Sequence, residues 1–170
     1  YIGLPEVNQP YRGWKLTFFE GGIKVPFFMR WPAAFSGAGS VDQPVHHFDI
    51  YATAAAAAGA PLPDDRKMDG VNLLPWLRGE RSDDPHEALF WRSGHYQVVR
   101  AGDWKLQRAE RPARTWLFNL ADDPTEQRDV SAENPEKLAE LVARLDAHND
   151  EQAEPLWPAL AELPVLIDKT

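Results

Sequence analysis

The sequence predicts an α+β chain in which a small four-stranded antiparallel sheet is covered by a C-terminal helix. Residues 88–120 contain four short apolar runs separated by turn residues, and residues 135–148 carry apolar side chains at helical spacing. Residues 1–87 are rich in Pro and Gly, with one strand-like run and one Ala-rich helix. We therefore divide the chain into residues 1–87 and residues 88–170, the sheet subdomain.

The first region contains two regular elements. Residues 25–31 read V-P-F-F-M-R-W, a nearly continuous apolar run that is typical of a strand buried on both faces of a parallel sheet. Residues 49–58 form an Ala-rich helix with Asp49 as its N-cap and Gly59 just after its end. Pro75 limits the apolar patch that follows to one short helical turn.

The second region predicts an antiparallel meander. Its four strands are expected at 88–91, 96–100, 104–107 and 115–120, with a three-residue hairpin loop at 101–103 and a charged loop at 108–114. The three Trp residues of these strands are expected to share the buried face of the sheet: Trp91, Trp104 and Trp116.

The clearest helix follows the meander. Asn134 is predicted to cap it and Pro135 to occupy its first turn. Its apolar stripe, which would cover one face of the sheet, consists of Leu138, Leu141, Val142 and Leu145. The tail at 154–167 is apolar enough that we expect it to pack back on the fold.

Composition excludes several functions. The chain has 170 residues and a formal net charge of −8, with no long basic cluster and no apolar run of membrane-spanning length. We therefore expect neither nucleic acid nor a membrane as a partner. The absence of Cys excludes disulfides, thiolate metal sites and a Cys nucleophile, and it leaves cytoplasm and periplasm equally open as compartments.

The ionisable residues give few candidates for chemistry. None of the five His residues has metal-ligand spacing, and no Ser stands in a G-x-S-x-G motif. We interpret His46 and His47 as structural or exposed. His95 follows a Gly at a strand edge, where a substrate could reach it. The sequence thus predicts no catalytic residue and no metal ligand in this chain.

One loop stands out. Residues 11–26 place Lys15 ahead of an acid and a Gly pair, Glu20, Gly21 and Gly22, just before the apolar run. A Lys ammonium is a compact charge with three donors and suits a sulfate or phosphate group, and the Gly pair permits a backbone turn into the sheet.

This stretch, K-x-x-x-F-E-G-G-I-K-V-P-F-F-M-R-W-P, resembles the late catalytic-domain signature of the type I sulfatases, in the alkaline-phosphatase-like superfamily. The resemblance continues, in the order of that family, through residues 48–53, 68–75, 77–79, 88–92, 99–106 and 117–127. It implies an enzyme that hydrolyses a small-molecule or glycan sulfate ester with a formylglycine nucleophile and a divalent cation, usually calcium.

The resemblance covers only part of such an enzyme. The family makes its formylglycine from Cys or Ser in a C/S-x-P-x-R motif, which this sequence lacks, and its metal-binding acids lie upstream of the matching region. The chain is then the C-terminal part of a sulfatase, and its residues 1–87 form the end of the larger α/β catalytic domain. It would be partnered by the missing N-terminal part, bind no metal itself and be inactive alone. Lys15 corresponds to the sulfate-binding Lys, Leu16 stands where many members have Gly, and His95 would lie at the substrate entrance.

Two alternatives remain open at this level. A phosphonate or phosphate ester hydrolase of the same superfamily shares this architecture. A non-catalytic module that binds glycans or a protein partner would instead present at least two exposed Trp rings on one face of the sheet. An unpaired apolar edge would also favour self-association of the chain.

Overall fold

The computed structural model describes residues 5–35 and 39–157. In chain order its elements are a 3₁₀ turn (Pro5–Asn8), α1 (Glu20–Ile23), α2 (Asp49–Ala58), α3 (Leu74–Leu77), β1 (Leu89–Ser93), β2 (Tyr96–Ala101), β3 (Trp104–Glu110), β4 (Ala113–Asn119) and α4 (Pro135–Asp150). They form two compact units, one of residues 1–26 and 88–170 and one of residues 27–87. The first 26 residues therefore group with the sheet that follows residue 87.

The four strands form one antiparallel sheet in the order β1-β2-β3-β4, which confirms the predicted α+β fold. The hairpin after β2 is tighter than predicted, because Ala101 pairs with Trp104 and leaves a two-residue loop in place of the expected three. Gly102 opens this loop with a φ of +55°, and Gly94 opens the preceding one with the same value. A positive φ at this position suits the twist of a two-residue hairpin.

The charged loop expected at 108–114 is mostly strand. Pairing between β3 and β4 continues to Glu110 and Ala113, so only residues 111–112 lie outside the ladder. Charged residues can occupy this end of β3 because side chains alternate between the two faces of a strand: Ala109, which is 4% exposed, faces the core, and its charged neighbours point the other way.

Both faces of the sheet are buried, which separates the three Trp residues. Trp116 lies with Trp91 on the face that packs against Phe19, whereas Trp104 lies on the opposite face, against Leu141 and α4. The prediction of one shared face was wrong because only one buried face was expected. No sheet Trp is exposed, so the glycan- or partner-binding module lacks the platform on which it depends.

Helix α4 packs on β2 and β3 through its apolar stripe, and Leu141 and Leu145 are almost fully buried. Asn134 does not cap it with its side chain, because the Asn134 Nδ2 donates to the Val130 carbonyl at 3.0 Å. The apolar tail was expected to pack back, but Leu156 and Trp157 are 88% and 71% exposed. Residues 158–167 of that tail lie outside the described residues.

The apolar run at 25–31 does not form the predicted strand. Val25 and Phe28 are 72% and 90% exposed, and the strands of the described residues pair only with one another. A strand inside a parallel sheet needs hydrogen-bonded neighbours on both edges, and none is present here. The assignment of residues 1–87 to the end of an α/β domain stays a prediction.

The second unit is organised around Asp49. This residue begins α2 and does not cap it; its buried carboxylate accepts from the His46 and Val71 backbone N–H groups at 2.7 and 2.9 Å. The His86 Nε2 lies 2.9 Å from the same carboxylate. Gly59 ends α2 with a φ of +66°, and α3 is the single helical turn that Pro75 predicted.

No helix within residues 5–35 and 39–157 is long and apolar enough to cross a membrane.

His46 is a pH-sensitive residue of this unit. Its ring stacks on Phe48 with centroids 4.0 Å apart, and His47 lies 4.2 Å away. Burial is the main cause that lowers the pKa of His46 from 6.5 to about 4, and the positive charge of His47 lowers it further.

We predict that the His46 ring titrates near pH 4 in a proton NMR titration of the folded chain. Because the unfolded chain binds this proton more readily, the contribution of neutral His46 to stability is complete above pH 6.5 and is lost as the pH falls to 4. His46→Gln should flatten the pH dependence of unfolding in that interval. A His46 signal that titrates near 6.5 would contradict this account.

Candidate functional site

Lys15 lies at the corner of a tight turn. The Thr17 N–H donates to the Trp14 carbonyl at 3.0 Å, and the Thr17 hydroxyl bonds both the N–H and the carbonyl of Trp14 at 3.1 and 2.8 Å. Lys15 and Leu16 occupy the two central positions, and both are exposed. Leu16 has a φ of +83°, the value that a type II turn requires at its second central residue and that Gly adopts most easily.

The Gly pair of the loop permits a close backbone contact. A Cβ on Gly21 would lie 2.5 Å from the carbonyl oxygen of Arg12, and one on Gly22 would lie 2.1 Å from that of Thr17. The Gly21 N–H donates to the Arg12 carbonyl at 2.8 Å. Neither Gly has a positive φ, so the pair serves close packing of the turn on α1 and not the turn into a sheet that the sequence suggested.

A buried cluster of three charges fixes this loop to the sheet. Lys105 of β3 is fully buried, and its Nζ lies 2.8 Å from the Glu20 Oε1 and 2.9 Å from the Glu126 Oε1. Both carboxylates are also buried. Removing one member of a buried ion pair destabilises the fold, because the other charge then remains in the core without compensation.

Polar groups of the sheet complete the cluster. The Gln107 Nε2 donates to the Glu126 Oε1 at 2.9 Å, and the Tyr96 hydroxyl donates to the Gln107 Oε1. The Tyr96 hydroxyl in turn accepts from the Phe18 N–H at 3.2 Å. A chain of hydrogen bonds thus runs from the loop through β2 and β3 to the residues after β4.

Burial governs protonation within the cluster. It raises the pKa of the Tyr96 phenol, so Tyr96 stays neutral and can donate. Burial also raises the pKa of the Glu126 carboxyl, while the Lys105 ammonium acts in the opposite direction.

His95 lies in the two-residue turn between β1 and β2. Its Nδ1 accepts from the Glu110 N–H at 3.2 Å, so the ring is held against the end of β3 and is half-buried. Lys15 and His95 therefore occupy different loops of one unit, and Tyr96, the neighbour of His95, contacts the Lys15 loop through Phe18. The assignment of either side chain to substrate stays a prediction.

The sequence interpretation missed Lys105, Gln107 and Glu126 as partners of the loop. A signal was present in β3, where Lys105 and Gln107 alternate with Trp104 and Leu106. Polar residues at alternate positions normally indicate a solvated face, but in a sheet buried on both faces they require buried partners. Glu20, which the sequence shows only as an acid within the loop, fixes the loop to β3 through Lys105.

Within the described residues, no group of three or more His, Cys, Asp or Glu is placed to hold a metal ion. The two carboxylates of the three-charge cluster already bind the Lys105 ammonium and lie in the core, so they offer no open coordination site.

Known proteins resemble this chain over most of its length. A family model described as N-sulphoglucosamine sulphohydrolase, C-terminal, matches residues 13–154, which include the Lys15 loop and all four strands. This chain is a sulfatase C-terminal domain. Human arylsulfatase H is 40% identical over 190 residues, covering 93% of this chain and 34% of the relative. Human steryl-sulfatase is 38% identical over 117 residues, covering 69% and 20%.

The solved sulfatase-like structures support the same fold. The crystal structure of Ps i-CgsB superposes with a TM-score of 0.76 at 28% identity, covering 89% of this chain and 34% of that one. The chain thus spans about a fifth to a third of the length of the relatives it matches.

The positive φ of Leu16 predicts that Gly is the better residue at this position of the sulfatase loop. A left-handed conformation costs a residue with a side chain about 1–2 kcal/mol, and Leu16 is 66% exposed, so its side chain contributes little burial. We expect Leu16→Gly to be more stable than Leu16→Ala by about 1 kcal/mol in urea unfolding, since the Ala variant keeps the backbone strain. A Gly variant less stable than the Ala variant would contradict the turn geometry.

Proposed function

We propose that the full-length protein hydrolyses sulfate esters and that this chain contributes Lys15 to recognition of the sulfate group. The observation that carries the proposal is the position of Lys15, exposed at the corner of a turn that the buried cluster fixes to the sheet. Membership of the sulfatase family supports the reaction. The ammonium offers up to three donors to the anionic oxygens of a sulfate group.

Lys15 acts best on charge that develops during the reaction. Cleavage of a sulfate ester increases negative charge on the sulfate and leaving-group oxygens, and a donor held in place beforehand needs no reorganisation to stabilise it. A turn closed by Thr17 on a packed Gly pair provides that rigidity. The rigid support, more than the ammonium alone, would then make Lys15 effective.

The nucleophile and the metal belong to the upstream part in this proposal. The sequence has no Cys and no Ser in an S-x-P-x-R motif, from which a formylglycine could form. A calcium ion would polarise the ester oxygens in the full-length protein, but the described residues offer no ligand group for it. We therefore expect no turnover by this chain alone.

The substrate is proposed at the level of a small-molecule or glycan sulfate ester. One similar protein is named a steryl-sulfatase, and the similar Ps i-CgsB was crystallised with k-i-k-neocarrahexaose. These two molecules differ widely, so the proposal specifies the sulfate ester and not its carrier. His95 is proposed to lie at the rim of the site, where the carrier enters.

The partner of this chain is proposed to be the upstream part of the same protein. The run at 25–31 is apolar and lies outside the helices and strands of the structure, with Val25, Phe27 and Phe28 exposed. We expect it to pair when the upstream part is present. The isolated chain would instead tend to self-associate through this run.

The test uses the full-length protein and aryl sulfate hydrolysis. Lys15→Ala should lower kcat/KM by about 100-fold or more, the effect of removing one preorganised donor, and Lys15→Arg should recover part of it. Lys137→Ala, which removes a half-buried ammonium paired with Glu140 on α4, is the matched control and should leave the rate unchanged. Full activity of Lys15→Ala would refute the role of Lys15.

The same assay separates the proposal from its rivals. Faster hydrolysis of matched aryl phosphonate or phosphate esters would assign the protein to the neighbouring hydrolases. Hydrolysis by the isolated chain would show that assigning the nucleophile to the upstream part of the protein is wrong.

A further inference from the structure

Both ends of the Lys15 loop meet at one residue. At the start of the loop, the Arg12 Nη1 donates to the Glu126 carbonyl oxygen at 2.9 Å. At its end, the Glu20 N–H donates to the Glu126 Oε2 at 2.5 Å. Glu126 lies 106 positions after Glu20, so a single residue from beyond β4 closes the base of the loop.

Glu126 is itself rigidly held. It is fully buried and has a φ of +58°, a conformation that non-Gly residues adopt only when the surroundings enforce it. Its N–H donates to the Asp123 carbonyl at 3.2 Å, and its Oε1 lies 2.9 Å from both the Gln107 Nε2 and the Lys105 Nζ. The two bonds from Glu126 to the loop therefore start from a residue that the sheet holds in place.

We infer that Glu126 is a positioning residue for the anion-binding turn, and that it sets where Lys15 stands by holding Arg12 and Glu20 together. The inference rests on the function proposed for Lys15. Glu126 lies in the core, so it acts on the ammonium only through the loop.

A carboxylate is the group that this position requires. Its Oε2 accepts from the loop while its Oε1 accepts from the sheet, so both oxygens must be acceptors. In Glu126→Gln, the amide would turn an N–H₂ group toward a donor on one side or the other. Lys105 and Glu20 would remain as a balanced ion pair, so the sheet should survive while the loop loses its anchor.

The test is amide hydrogen exchange across the chain, with Lys15 followed by NMR. In Glu126→Gln we expect the amides of Thr17, Glu20 and Gly21 to exchange about tenfold faster or more, the effect of losing a hydrogen bond to a charged group, while β2 and β3 amides change little. The Lys15 side-chain signals should move toward those of an unstructured Lys.

Leu145→Ala is the matched control, because it opens a cavity under α4 on the opposite face of the sheet. It should speed exchange in the sheet and loop together, without a selective effect on the loop. If Glu126→Gln behaves like Leu145→Ala, or leaves the loop amides protected, the inference is wrong.

A second variant keeps the test decisive if Glu126→Gln does not fold. Arg12→Met removes the donor to the Glu126 carbonyl, together with the guanidinium over the Phe19 ring, and should release the start of the loop more than Glu20. If the loop amides of Arg12→Met are as well protected from hydrogen exchange as those of the unaltered chain, the inference is wrong.

Lys15→Ala distinguishes this inference from the function on which it rests. It should leave the Glu20 amide as protected as in the unaltered chain, because the bonds from Arg12 and Glu20 to Glu126 do not involve the Lys15 side chain. Retained sulfatase activity of Lys15→Ala, together with a loop released by Glu126→Gln, would refute the role of Lys15 and leave the anchor standing.

Discussion

The structure of the sheet unit depends on a fully buried ammonium placed between two buried carboxylates. Lys105 cannot remain charged in a core without compensation, and its partners are Glu20 from the loop and Glu126 from the segment after β4. These three elements are far apart in sequence and are brought together by this requirement. The rest of that face, with Phe19, Trp116 and Phe118, packs around the cluster.

Because of the cluster, the two faces of the sheet contribute differently to the structure. The face under α4 is apolar and follows ordinary helix-on-sheet packing, which provides stability without fixing any particular loop. The buried charges on the other face need partners at defined positions, and this requirement determines where the Lys15 turn lies. A sulfatase C-terminal domain can thereby serve as a rigid support for a residue proposed to bind the substrate anion.

The local part of this architecture could be predicted from the sequence, because strands, hairpins and α4 follow from periodicity and turn residues. The charge cluster could not, since Glu20 and Lys105 are 85 residues apart and no pattern within either segment reveals the other. The run at 25–31 was misread for a related reason: apolar residues indicate burial, but a strand exists only where neighbours pair with it. Leu16 was noticed as a departure from Gly, and its positive φ supplies the physical meaning.

The most direct test of this account is a double-mutant cycle between Lys105 and Glu20, measured by urea unfolding. Lys105→Met should destabilise the chain by about 3–5 kcal/mol, because it leaves two buried carboxylates without their ammonium. Glu20→Gln should cost less, because Glu126 still pairs with Lys105. The double variant should cost clearly less than the sum, with a coupling of at least about 1 kcal/mol. Costs that simply add would contradict the claim that this ion pair fastens the loop to the sheet.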